Sequence, residues 1–265
     1  MCGIAGLWAP RLDSPERLAR VSDMVDRLRH RGPSGDALWD GDGLALGIAR
    51  LAIVAPNRPA RVATDERGLI HAVINGEVYN HAELREGLLS RGHEVPDGPD
   101  TAVIPHLYQE HGVDFPRYLD GMFAVALWDA AARRLVLARD RAGEKPLFVA
   151  TGEDRIAFAS EPAALLALPW VSRDPDPAAI SRYLRHGFFA GDDTGFASIR
   201  QLPPAHVLVV DEDGTRRTRY WRPWDALAHP ARLSTAEAIA GSRAALARPV
   251  ADRVPGEVPF GVFLS

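Results

Sequence analysis

Short apolar runs separated by glycine, proline and aspartate dominate the first 160 residues. Residues 3–8, 44–50, 70–75, 123–128, 135–139 and 156–160 have the length and composition of strands. Two runs, 122–128 and 134–139, flank the polar turn 129–133 and read as a hairpin. Helical spacing of apolar residues marks 15–29, where Leu18, Val21, Met24, Val25 and Leu28 share a face. Segments 81–90 and 101–111 repeat the pattern, the latter with Val103, Ile104, Leu107 and Tyr108 on one side. Strand runs come in adjacent pairs and do not alternate strictly with helices. That order predicts an α+β fold with antiparallel sheets over a doubly wound parallel sheet.

Beyond residue 176 the pattern changes. A short helix is expected over 177–189, followed by strands at 199–202, 205–210 and 217–221 with Asp213-Gly214 as a turn. Residues 223–233 hold Pro223 and Pro230 and read as a linker. Ser234 and Glu237 have the spacing of a capping box and open an amphipathic helix with Ile239, Leu246 and Val250, which Pro249 is expected to kink. Residues 258–264 have the character of a buried strand. One helix and one strand cannot bury a core, so 234–265 read as the truncated start of a second domain, after a first spanning 2–222.

The composition narrows the chemistry. Of 265 residues, 46% are hydrophobic and 25% charged, the balance of a soluble globular chain. A net charge of -4 gives no basic footprint for nucleic acid or an anionic membrane. No apolar run reaches the roughly 18–20 residues needed to span a bilayer, and residues 1–9 lack the basic start of a signal peptide; a cytoplasmic location is expected. A single cysteine excludes an internal disulfide and a multi-thiolate zinc site.

That cysteine is Cys2. Cysteine is small enough for Met1 to be cleaved in front of it, which would place a thiol and a free α-amine on one residue. An α-amine titrates near pH 7.7–8.0 and can act as a base where a lysine cannot. The thiol needs such a base, since only a few per cent ionises at neutral pH. Attack on an amide also needs oxyanion donors; Asn75-Gly76 offers a side-chain amide and an approachable backbone N–H, although Asn-Gly is also a common turn pair. Arg50 follows an apolar run and could hold a carboxylate with a free fork, and Glu77 and Asp100 could hold an ammonium group. Each alone reads more readily as a surface salt bridge; the combination shifts the reading toward an amino-acid substrate.

The motifs that contain these residues occur in a familiar order. Met-Cys-Gly-Ile-Ala-Gly at 1–6 is followed by Arg29-His30-Arg31-Gly32-Pro33, Ala49-Arg50-Leu51-Ala52-Ile53-Val54, Asn75-Gly76-Glu77-Val78-Tyr79-Asn80 and Asp100-Thr101. Then come Gly121-Met122-Phe123-Ala124, the stretch 138–147 and Phe158-Ala159-Ser160-Glu161. Nearly the whole chain thus resembles the glutaminase domain of the class II glutamine amidotransferases of the asparagine synthetase B type. The resemblance implies a four-layer αββα N-terminal-nucleophile hydrolase fold. It implies Cys2 as nucleophile, its α-amine as base, and Asn75 and Gly76 as the oxyanion hole. Arg50 would hold the glutamine carboxylate, Glu77 and Asp100 its ammonium, and Leu51, Ile53 and Val54 would line the pocket. Glutamine hydrolysis needs no cofactor and no protein-bound metal.

The tail 258–265 resembles the strand leading into a pyrophosphate-binding loop, with Leu264 as an ATP contact. ATP and Mg2+ would serve the missing synthetase half, which would amidate aspartate or a related carboxylate. Family members suggest a homodimer. The chain departs from the family at Ser34-Gly35, at 56–64, at Glu144, where isoleucine is commoner, and at Pro162. The first two lie outside the residues assigned to catalysis. Glu144 and Pro162 fit a divergent member, so a tailoring amidotransferase acting on a natural-product carboxylate stays open, as does a silent domain that supports a partner synthetase.

Overall fold

In a computed structural model, residues 1–228, 233–254 and 258–263 are described. Two six-stranded antiparallel sheets stack face to face. The first contains β1 (Gly3–Trp8), β2 (Asp36–Gly41), β3 (Leu44–Ala49), β8 (Phe148–Thr151), β9 (Ile156–Ala159) and β10 (Ile199–Gln201), in the order β10-β8-β9-β1-β3-β2. The second contains β4 (Ala63–Thr64), β5 (Ile70–Val78), β6 (Gly121–Asp129), β7 (Arg134–Arg139), β11 (His206–Asp211) and β12 (Gly214–Arg219), in the order β12-β11-β7-β6-β5-β4. Helices α1 (Ser14–Asp26) and α4 (Pro162–Leu165) cover the first sheet; α2 (His81–Ser90) and α3 (Val103–His111) lie on the side of the second.

Side-chain alternation assigns each strand residue to one of three apolar interfaces. On β1, Ile4 and Trp8 face the space between the sheets, whereas Ala5 and Leu7 face α1. On β6, Ala124, Ala126 and Trp128 face the other sheet, and Phe123, Val125 and Leu127 face α3. The central strands of both sheets are therefore buried on both faces. This is why they read as unbroken apolar runs without alternation. On β3 the helix-facing residues are small (Ala45, Gly47, Ala49), and a Cβ at 47 would stand 2.5 Å from Val25 Cγ2, so α1 lies close against the sheet.

The sequence reading placed α2, the β6–β7 hairpin and α5 (Pro177–His186) closely. The structure ends α1 three residues early, at Asp26, after its N-cap Asp13 accepts from Glu16 N at 2.8 Å. It adds β2, an edge strand whose alternating burial lets only Ala37 and Trp39 join the core, and the four-residue β8. Of the expected strand 217–221, residues 217–219 belong to β12, which begins at Gly214 and is exposed throughout, whereas Tyr220 and Trp221 lie beyond it. Among the described residues between 223 and 233, Pro223–Ala228 forms a 3₁₀ turn.

Helix α6 (Thr235–Asp252) forms with its capping box made on both sides: Ser234 Oγ accepts from Glu237 N, and Glu237 accepts from Ser234 N. It continues through Pro249, and none of its residues is buried; Ile239, Leu246 and Val250 are exposed. The expected strand at 258–264 is corrected over 258–263. Those residues have no strand partner among the described residues, and a strand without a ladder leaves its backbone groups unpaired; Phe260, Val262 and Phe263 are exposed. Leu264 lies outside the described residues. No described helix is long and apolar enough to cross a membrane.

Candidate active site

Register delivers the thiol to the site. Gly3 pairs with Ala49, so one step outward Cys2 meets the chain leaving β3. Leu51 N donates to Cys2 Sγ at 3.3 Å, and Sγ lies 3.8 Å from Leu51 O. The Cys2 carbonyl accepts from Arg31 Nε at 3.1 Å, and Arg31 is fixed in turn by Glu161 at 2.8 Å. The neighbouring Gly32 packs against β3 so closely that a Cβ there would stand 2.2 Å from Ala49 O. The Arg31-Gly32 motif thus clamps the backbone of Cys2, a role its sequence did not disclose.

Cys2 opens into a cavity of about 570 Å³ that is also lined by Arg50, Asn75, Glu77, Asp100 and Lys145, a volume suited to a small-molecule substrate. The second sheet supplies Asn75, Gly76 and Glu77 from the end of β5. Asn75 is fully buried, and neither its Oδ1 nor its Nδ2 has a hydrogen-bond partner. An unsatisfied buried amide costs about 1–3 kcal/mol per group, so this side chain is held ready for an external partner. Gly76 sits opposite Phe123, and a Cβ at 76 would lie 2.1 Å from Met122 O. Gly76→Ala is expected to force β5 and β6 apart, lowering stability by about 1–3 kcal/mol as read from a denaturant midpoint; an unchanged midpoint would show that the strands yield freely.

Arg50 lines the cavity, but its fork is not free as expected. It donates to the carbonyls of Val54 and Ala55, both at 2.8 Å, and to that of Arg58. It thereby shapes the loop after β3, which carries Leu51, Ile53 and Val54 along the cavity wall. The partners of a bound carboxylate at Arg50 are the donors these bonds leave over.

Glu77 and Asp100 face one another electrostatically. Burial pushes the Glu77 carboxyl up, and the Asp100 charge pushes it further. Asp100 is also raised by burial, against a 2.7 Å hydrogen bond from Val78 N that favours its charged form. A cation binding between them would reverse both shifts.

Lys145 is the residue that sequence reasoning passed over. A lone lysine in a polar loop reads as solvated, yet this one is 6% exposed, lines the cavity, and its ammonium makes no hydrogen bond or ion pair among the described residues. Burial lowers its pKa, and the nearby Glu77 partly restores it. The loop that presents it is rigid: the Asp140 carboxylate accepts from the backbone N–H groups of Phe123, Ala142, Glu144 and Lys145, and Arg139 Nε donates to Lys145 O at 2.7 Å. The unusual Glu144 pairs with Arg253 at 3.2 Å, and the Arg253 guanidinium lies over the Tyr79 ring, which ties the end of α6 to the β5 side of the site.

Two stacked sheets that place a cysteine, a buried amide and paired carboxylates around one cavity define an amide-handling site. Residues 1–221 match the family described as the glutamine amidotransferase domain, and the chain belongs to that family. It is 32% identical to asparagine synthetase [glutamine-hydrolyzing] 3 of Bacillus subtilis and 35% identical to asparagine synthetase [glutamine-hydrolyzing] 3 of Arabidopsis thaliana. Both alignments cover all of this chain, which spans 43% and 40% of those relatives. Among solved structures, glutamine phosphoribosylpyrophosphate amidotransferase from B. subtilis superposes over 83% of this chain and 49% of its own, with a TM-score of 0.61 at 17% identity. That likeness shows a shared fold.

Proposed function

We propose that this glutamine amidotransferase domain hydrolyses glutamine to glutamate and ammonia through a thioester on Cys2. The observation that carries the reading is the fully buried, unpartnered Asn75 amide in the same cavity as the Cys2 thiol. Removal of the half-exposed Met1 frees the Cys2 α-amine. The amine takes the thiol proton as Sγ attacks the side-chain amide carbon. The oxyanion accepts from Asn75 Nδ2 and the Gly76 N–H. Collapse breaks the C–N bond, and the proton held by the amine leaves with ammonia. Water then attacks the thioester, regenerating the thiol and releasing glutamate. Arg50 holds the substrate carboxylate, and Glu77 and Asp100 its ammonium. Incubation with glutamine is expected to yield glutamate and ammonia in equal amounts; no glutamate from Met1-free protein overturns the proposal.

The ammonium subsite has a pH signature. Because both carboxyls are raised, they take up protons at higher pH than ordinary carboxylates and then cease to attract an ammonium group. KM for glutamine is expected to rise as pH falls, starting above the ordinary carboxylate range of about 4. Lys145→Met removes a cation that keeps Glu77 ionised, so this acidic limb moves to higher pH. A KM flat down to about pH 4, or a limb unmoved in the variant, contradicts the assignment.

In the longer protein, ammonia would pass to an ATP-activated aspartate or related carboxylate. The relatives' names and the exposed apolar residues of α6 support this. ATP and Mg2+ would act there, and no described residue is assigned to hold them.

A further inference from the structure

A second polar cluster lies outside the cavity, where α3 meets two loops. The turn between β4 and β5 is held by Asp65, whose Oδ1 accepts from Leu69 N and Ile70 N, and it presents Glu66. Helix α2 ends in a Schellman motif: Gly92, at φ +93, donates to Leu89 O, and His93 N donates to Leu88 O at 3.1 Å. That cap sets His93 beside Glu66. His106 comes from α3.

One ligand atom from each of Glu66, His93 and His106 lies within 4.8 Å of the other two. The His106 side chain is fully buried, and both of its ring nitrogens lack a hydrogen-bond partner. His93 Nδ1 is also buried without one. These orphaned nitrogens converge on one carboxylate: His106 Nδ1 is 2.8 Å from Glu66 Oε2, and His93 Nδ1 is 3.5 Å from Glu66 Oε1, neither with hydrogen-bond geometry. On its far side His93 Nε2 is 3.0 Å from Glu110 Oε1, and Glu110 is anchored by Arg91. A carboxylate behind a histidine is the outer support that metal-ligating imidazoles commonly have. Two imidazoles and a carboxylate suit zinc-type ions, and the Glu66 side chain, 21% exposed, gives the cluster access to solvent.

We propose that Glu66, His93 and His106 bind one divalent transition ion of the zinc type, which joins the β4–β5 turn, the end of α2 and α3. At metal–ligand distances of about 2.0–2.2 Å, tetrahedral ligands stand about 3.3–3.5 Å apart. The three ligand atoms lie within 4.8 Å of one another, so closing on an ion draws the farthest of them together by roughly 1 Å. None of the three residues lines the glutamine cavity, so the ion has no part in hydrolysis.

Tag-free protein stripped with chelator and titrated calorimetrically with zinc is expected to bind one equivalent, with a raised melting temperature. The equivalent persists in a Cys2→Ala background, which excludes the thiol as the ligand. His93→Ala and Glu66→Gln are expected to weaken binding at least tenfold while glutamine hydrolysis stays within twofold of the parent. Both positions are nearer the surface than His106, so the test does not depend on a variant of the buried imidazole. Absence of zinc binding, or affinity unchanged in both variants, would overturn the proposal and leave the cluster as a metal-free ion-pair network.

Discussion

Cys2→Ala is expected to reduce glutamine hydrolysis by at least about 10³-fold. Loss of a nucleophile removes the covalent route altogether, and what remains comes from binding and oxyanion donors alone. Folding should be largely spared. Cys2 precedes β1 and is half-buried at the rim of the core between the sheets; its thiol makes two long polar contacts to Leu51, and alanine retains the Cβ there, so the substitution loses little packing. Rates of glutamate release measured beside a thermal melt separate the two outcomes. Activity that survives the substitution would mean that another group attacks the amide.

Asn75→Ala is expected to cost about 10²–10³ in kcat, or roughly 2.7–4 kcal/mol of transition-state stabilisation, with KM little changed. The logic rests on the orphaned amide. In the free protein the Asn75 side chain makes no hydrogen bond, so its removal breaks none. Stability then falls only by the small volume term of a buried truncation, about 1 kcal/mol. A structural asparagine would behave in the opposite way, with a large stability loss and a kcat that follows the folded fraction. Comparison of kcat per folded molecule with the unfolding midpoint distinguishes them.

Much of the architecture was legible because the central strands of both sheets are buried on both faces. β1, β3, β6 and β7 are continuous apolar runs that only a strand of that length explains. β2 escaped notice because an edge strand needs only Ala37 and Trp39 to face inward, and its aspartates read as loop. In the site, Cys2, Asn75 and the two carboxylates announced themselves by residue type and order. What type cannot convey is burial. Lys145 reads as solvated until Asp140 gathers four backbone N–H groups and turns its loop into the cavity wall. Arg31 is one of 31 lysines and arginines until the fold sets its Nε against the Cys2 carbonyl. Arg50 shows the converse. Its position at a strand end was correctly read, but the loop carbonyls that it binds come from residues four, five and eight positions later, whose path no local pattern encodes.

The claim that Cys2 is an N-terminal nucleophile is tested most directly by covalent capture. Purified protein is treated with a glutamine analogue that carries an electrophilic carbon in place of the side-chain amide, then analysed by intact mass and peptide mapping. The expected result is one adduct per chain, on Cys2 of molecules that have lost Met1, with excess glutamine protecting and Met1-bearing molecules unlabelled. Glutamate production by protein that retains Met1, or inactivation by the analogue with Cys2 unmodified, would contradict it.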